Sequence, residues 1–269
     1  MPRRLLACLA LCLSAISLAA ADKLVWLSDL DEGIKVAKAE KKAILVDFTG
    51  SDWCGWCIRL KKEVFDQKEF AAVAKDFVLV ELDYPQKKKQ SPEEKAKNKD
   101  WAEKFGIEGF PTILLMDSHG EPFAQTGYQE GGPAKYLAHL AELLKDNTSQ
   151  GKSAFAQAKK DEVMINGFGR ELRDILGPFM DKKDFAGAEA AVTKFIADKR
   201  VTGAVKLNLS VNARVGLVQA AKPGDHEALL KVLDAIIAET SPDLKELADV
   251  KQFRSQVAEA AALAKARGK

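Results

Sequence analysis

Trp53-Cys54-Gly55-Trp56-Cys57 is the stretch that most constrains this chain. It sits where an apolar run, Ala43–Phe48, gives way through Thr49-Gly50-Ser51-Asp52 to a charged stretch with helical spacing at Ile58, Leu60, Val64 and Phe65. The reading is therefore strand, turn, helix, with Cys54 at the helix start and Cys57 one turn on. Unpaired backbone N–H groups and the positive end of the helix dipole favour a thiolate over a thiol at such a position. The second cysteine is placed to attack a mixed disulfide formed by the first. Such a pair makes a dithiol–disulfide switch.

The remaining cysteines strengthen this reading. The chain has four, and Cys8 and Cys12 both fall in residues 1–21. Arg3 and Arg4 give that segment a basic start, Leu5–Leu18 is apolar, and Ala19-Ala20-Ala21 offers a small-residue cleavage site. This is the pattern of a secretory signal peptide. Leu5-Leu6-Ala7-Cys8 looks like a lipoprotein box, but no apolar segment precedes it. Cleavage after Ala21 leaves Cys54 and Cys57 alone, so no structural disulfide framework is expected in an exported, periplasmic or secreted protein. It also removes two of the 41 basic residues, leaving 39 against 39 acidic ones. Such a balance does not suggest nucleic-acid binding, and no second long apolar stretch argues against solubility after cleavage.

Further along, Asp29-Leu30-Asp31-Glu32 reads as a helix start and Lys41-Lys42 as its end. Phe77–Asp83 is a second full strand, stopped by Pro85. Gln86–Asp100 is dense in charge, with Ser91-Pro92-Glu93-Glu94 as an N-terminal helix signal, and is read as a solvated surface insertion, with a docking site as the alternative. Ile113–Met116 is a buried strand, with a hairpin partner near Pro122–Ala124 and a last helix through Tyr136 and Leu144. These elements give an α/β domain over residues 22–146. A polar linker at 147–153 and an all-helical domain at 154–269 follow. Within the latter, segments 184–197 and 225–238 align at Asp184 and Asp225, either as a helical repeat or as two amphipathic helices of common composition.

Leu45-Val46-Asp47-Phe48, Trp53-Cys54-x-x-Cys57 and Gly109-Phe110-Pro111-Thr112, in that order, resemble the thioredoxin superfamily over residues 24–146. The closest likeness is to secreted bacterial thioredoxin-like proteins. The resemblance implies a central mixed sheet flanked by helices, Cys54 as exposed nucleophile, Cys57 as buried resolving thiol, and a cis peptide before Pro111. It also implies a substrate groove bordered by Trp53, Gly55, Trp56, Phe110 and Pro111. Asp47 would then stand behind Cys57 as its proton acceptor; the alternative is an aspartate at an exposed strand end. Trp56 departs from thioredoxin, which has proline there, and the Lys87–Lys99 insertion is longer than the corresponding connection.

The expected activity is thiol–disulfide exchange with protein thiols and disulfides, as reductase, oxidase or isomerase, with a membrane redox partner as electron source and no cofactor. A non-catalytic scaffold whose helical domain recruits a partner is the alternative. Metal binding is not expected, since His119 and His139 are distant in sequence and no second C-x-x-C exists.

Overall fold

The computed structural model describes residues 24–267, so the signal-peptide segment lies outside the described residues. The chain divides into two compact units between Ser153 and Ala154.

The first unit is built on five strands: β1 (Trp26–Leu27), β2 (Ala43–Thr49), β3 (Phe77–Asp83), β4 (Thr112–Met116) and β5 (Pro122–Thr126). Their spatial order is β1-β3-β2-β4-β5. β2 runs parallel to β3 and antiparallel to β4, which closes a hairpin with β5. Strands β2 and β4 are almost wholly buried, which explains their unbroken apolar runs.

Alternation along β2 divides its side chains between two faces. Leu45 belongs to a core with Leu60, Val64, Phe65, Tyr136 and Leu140, and Asp47 lies on that same face. α1 (Leu30–Glu40) packs on the other face, where a Cβ on Gly33 would lie 2.5 Å from Val80 Cγ2. Asp29 caps α1 by accepting the N–H of Asp31 at 2.8 Å, and Lys41 ends it in the left-handed region. α4 (Pro92–Phe105) starts as its sequence signal says, with Ser91 accepting the Glu94 N–H at 3.1 Å. α5 (Gly132–Leu143) completes the unit.

Three features differ from the sequence reading. The helix after Cys54 is not continuous: α2 (Gly55–Leu60) passes into a π-helical turn, Lys61–Phe65. A separate helix, α3 (Lys68–Ala74), follows, and its Phe70 fills the core beside Phe65 at 4.8 Å between rings. The stretch 147–153 is only partly a linker, because α6 (Ser149–Asp181) begins inside it. Thr148 explains this start: its hydroxyl accepts the Gly151 N–H, supplying a cap that a polar composition conceals.

The second unit continues α6 with α7 (Phe185–Ile196), α8 (Gly203–Ala221), α9 (His226–Glu239) and α10 (Leu247–Arg267). The two aligned segments have the same local construction. Asp184 caps α7 through Gly187 N–H, Asp225 caps α9 through Ala228 N–H, and the matched Val192 and Leu233 are both fully buried. Buried Arg214 on α8 ties both helices down, pairing with Glu189 at 3.1 Å and Glu239 at 2.9 Å. Its carboxylate partners remain half exposed, so losing the arginine strands no buried charge. Arg214→Ala should then lower the stability of this unit by about 2 kcal/mol, chiefly through lost packing and hydrogen bonds. Helical circular dichroism during urea unfolding measures it.

Candidate functional site

The turn Gly50-Ser51-Asp52 delivers Cys54 to the first turn of α2 as its N-cap. Cys54 Sγ accepts the Cys57 N–H at 3.2 Å, so a backbone donor of the helix start is aimed at this sulfur. The two cysteines form a disulfide with their Cα atoms 5.3 Å apart. In this oxidised state Cys54 is 6% exposed and Cys57 3%. The expected exposed position of Cys54 is thus corrected: its sulfur is turned onto Cys57, with little of its surface left to solvent.

The Phe110–Pro111 peptide is cis, as the resemblance implies. Thr112 Oγ1 donates to Gly109 O at 2.8 Å and closes this loop. Trp53 and Phe110 meet edge to face at 5.8 Å. Trp53 Nε1 donates to Tyr84 O at 2.8 Å, and the Tyr84 ring lies 4.9 Å from Phe110. Gly50 makes room for the indole, since a Cβ there would come within 2.6 Å of it.

On the other side of the motif, Trp56 is 55% exposed and lies 5.1 Å from Tyr128. The Arg59 guanidinium sits 5.6 Å from the Trp56 ring and 5.5 Å from that of Tyr128. Glu63 joins this group, accepting from Arg59 at 2.7 Å and from the Tyr128 hydroxyl at 2.8 Å. Those two bonds hold the Glu63 carboxyl below its ordinary range. Trp56, Arg59, Phe110, Pro111, Tyr128 and Glu130 line an open cleft of about 420 Å³. Gly55 is exposed, with open space where a Cβ would stand.

Asp47 is 4% exposed, which removes the exposed-strand-end alternative. It is paired in register with Glu81 on β3. Burial pushes its carboxyl up to about 8; Glu81 and Asp83 push the same way, while Lys61 opposes them. No group among the described residues hydrogen-bonds its Oδ1. Lys61, the first residue of the π turn, is held 3.6 Å from Glu81. Among the described residues no set of three or more His, Cys, Asp or Glu side chains is arranged to hold a metal ion.

The structure therefore gathers Trp53, Cys54, Trp56, Phe110 and Pro111 around one disulfide, with Asp47 on the sheet face beneath α2. Sequence reasoning missed Tyr84, Arg59, Tyr128 and Glu130. Only Arg59 lies near the motif in sequence; Tyr84 and Tyr128 follow strand ends, and nothing local distinguishes them.

A family model described as a thioredoxin-like domain matches residues 30–144. The disulfide bond reductase DsbH of Chlamydia pneumoniae is 35% identical over 127 residues, covering 47% of this chain and 76% of that protein. The chain belongs to the thioredoxin-like family of thiol–disulfide oxidoreductases. Another relative of this thioredoxin-like chain, the thioredoxin-related protein DsbJ of the same organism, is 36% identical over 124 residues. That match covers 44% of this chain and 35% of DsbJ. A solved structure titled DsbH oxidoreductase superposes with a TM-score of 0.43 at 35% identity, covering 45% of this chain and 85% of that one. The helical unit lies beyond the family match. No helix among the described residues is long and apolar enough to cross a membrane.

Proposed function

We propose that this protein is an exported disulfide reductase, acting on protein disulfides through Cys54 and Cys57. The observation that carries the reading is the Cys54–Cys57 disulfide at the start of α2, beside the aromatic cleft. In the reduced protein the Cys54 thiolate attacks one sulfur of a substrate disulfide. That S–S bond breaks, and the first substrate sulfur leaves as a thiolate. In molecules whose Asp47 is ionised, Cys57 gives its proton to that carboxylate and attacks Cys54 Sγ, and the second substrate sulfur leaves and is protonated to the thiol. Two electrons have passed to substrate, and the protein is left with the Cys54–Cys57 disulfide.

The reducing direction is supported by the name of the relative from Chlamydia pneumoniae, of which the chain covers 76%. Export is supported by the leader-like residues 1–21. An exported reductase needs its electrons resupplied, and a membrane dithiol donor serves that role.

Equilibration of the purified protein with glutathione buffers, followed by Trp fluorescence, tests the direction. A potential near thioredoxin's, about −270 mV, supports a reductase; one near −120 mV, where strong disulfide donors sit, overturns that direction. A scaffold would keep its cellular role with both cysteines changed to serine.

A further inference from the structure

The lysine-rich segment between β3 and α4 is unused by the exchange reaction, yet it is fastened to the redox turn. Asp52, two residues before Cys54, accepts backbone N–H bonds from Gln86 at 2.9 Å, Lys87 at 2.8 Å and Lys88 at 2.7 Å. Lys88 Nζ reaches Ser51 Oγ at 2.8 Å, and Ser51 in turn bonds Asp83 through its N–H and hydroxyl. Gln90 closes the segment by donating to Asp83 O at 3.0 Å. The lysine turn and the turn that carries Cys54 are thus one hydrogen-bonded unit. Ser51 is three residues from Cys54, so the residue that Lys88 grips lies within about 11 Å of Cys54 along the chain.

The charge of this unit is unbalanced toward the outside. Asp52 and Asp83 are occupied with backbone amides and with Ser51. Lys87 and Lys89 are exposed and make no ion pair with any described residue. The opposite rim differs: there Arg59 is spent on Glu63, and Glu130 adds a further carboxylate. The lysine turn therefore sets exposed positive charge beside the turn that leads into Trp53 and Cys54, while the surroundings of Trp56 are net acidic.

We propose that Lys87, Lys88 and Lys89 dock an acidic stretch of the protein whose disulfide is exchanged, choosing both the substrate and the direction in which it lies. This deepens the reductase reading and rests on it. A solvated insertion tolerates any geometry, whereas this one is fastened through Asp52, Ser51 and Asp83 to the turn that leads into Cys54. Surface charges at such a rim act on encounter and register.

The test compares two disulfide-linked peptides, one with glutamates and one with glutamines flanking the cysteine, as substrates of the full chain. The acidic peptide should show a kcat/KM about tenfold higher, the scale that a few rim charges supply, and high salt should erase the difference. In Lys87→Glu/Lys89→Glu the ratio between the peptides should fall to one or invert, and Lys87→Gln/Lys89→Gln should fall between. Equal rates for both peptides in the wild type, with exchange intact, overturn the docking proposal and leave the reductase reading standing. Failure to exchange either peptide takes down both. Phosphatidylcholine vesicles with added phosphatidylglycerol supply a separate outcome. Binding that the glutamate variant loses, without any peptide preference, assigns the lysines to a lipid surface and overturns the proposal.

Discussion

Changing Cys57 to serine should turn the protein into a trap: substrate is captured on Cys54 and held, and turnover falls on the order of 10³-fold or more. Changing Cys54 should abolish capture as well as turnover. The asymmetry follows from the first turn of α2. Cys54 Sγ receives a backbone N–H and stands at the positive end of the helical run, both of which favour its thiolate. Cys57 lies one turn into α2 and does not cap the helix, and an intramolecular attack on Cys54 Sγ is within its reach. Non-reducing electrophoresis of each single variant after incubation with a disulfide-bonded protein checks this. Adducts on Cys54→Ser in amounts equal to those on Cys57→Ser would reverse the assignment of the two sulfurs.

The parts of this site legible in sequence are those in which one local pattern forces one geometry. Ile44, Leu45 and Val46 before a glycine turn, then two cysteines at helical spacing, leave little freedom for Cys54. Gly109-Phe110-Pro111-Thr112 is equally local, and so are the helix starts at Asp29 and Ser91. What stayed hidden depends on register between distant strands. Tyr84 reaches the cleft because β3 pairs with β2 from Ala43↔Phe77 to Thr49↔Asp83, which carries the end of β3 to the redox turn. Tyr128 follows β5, whose place beside β4 is set by tertiary pairing. The π turn at Lys61–Phe65 escaped for another reason. Its one extra residue per turn shifts Val64 and Phe65 into the core without disturbing the apolar spacing that marks a helix. The lysine turn looked like a solvated insertion because its anchor, Asp52, lies 34 residues upstream of Gln86.

Asp47→Asn should make the protein more stable and a slower enzyme. The native carboxyl holds its proton up to about pH 8, whereas the unfolded chain gives it up near 3.8. Between those values the native state binds the extra proton, so Asp47 costs stability progressively as pH rises and the cost levels off above about 8. Each unit of displacement is worth about 1.4 kcal/mol, so by pH 7 the penalty is of order 4 kcal/mol at most, and water reaching the site would reduce it. The amide does not titrate, and its variant should lose this slope between pH 4 and 8. All four tryptophans lie between residues 26 and 101, so their fluorescence in urea reports on this unit alone. A group that destabilises its own fold needs a return elsewhere, and proton transfer from Cys57 supplies one. Resolution of the mixed disulfide should slow about 10²-fold in the variant, the typical contribution of a positioned base, while the first attack by Cys54 changes little. Stopped-flow traces separate the two steps. A variant that gains stability yet resolves at the wild-type rate across this pH range would leave Asp47 a buried carboxyl with no part in the chemistry.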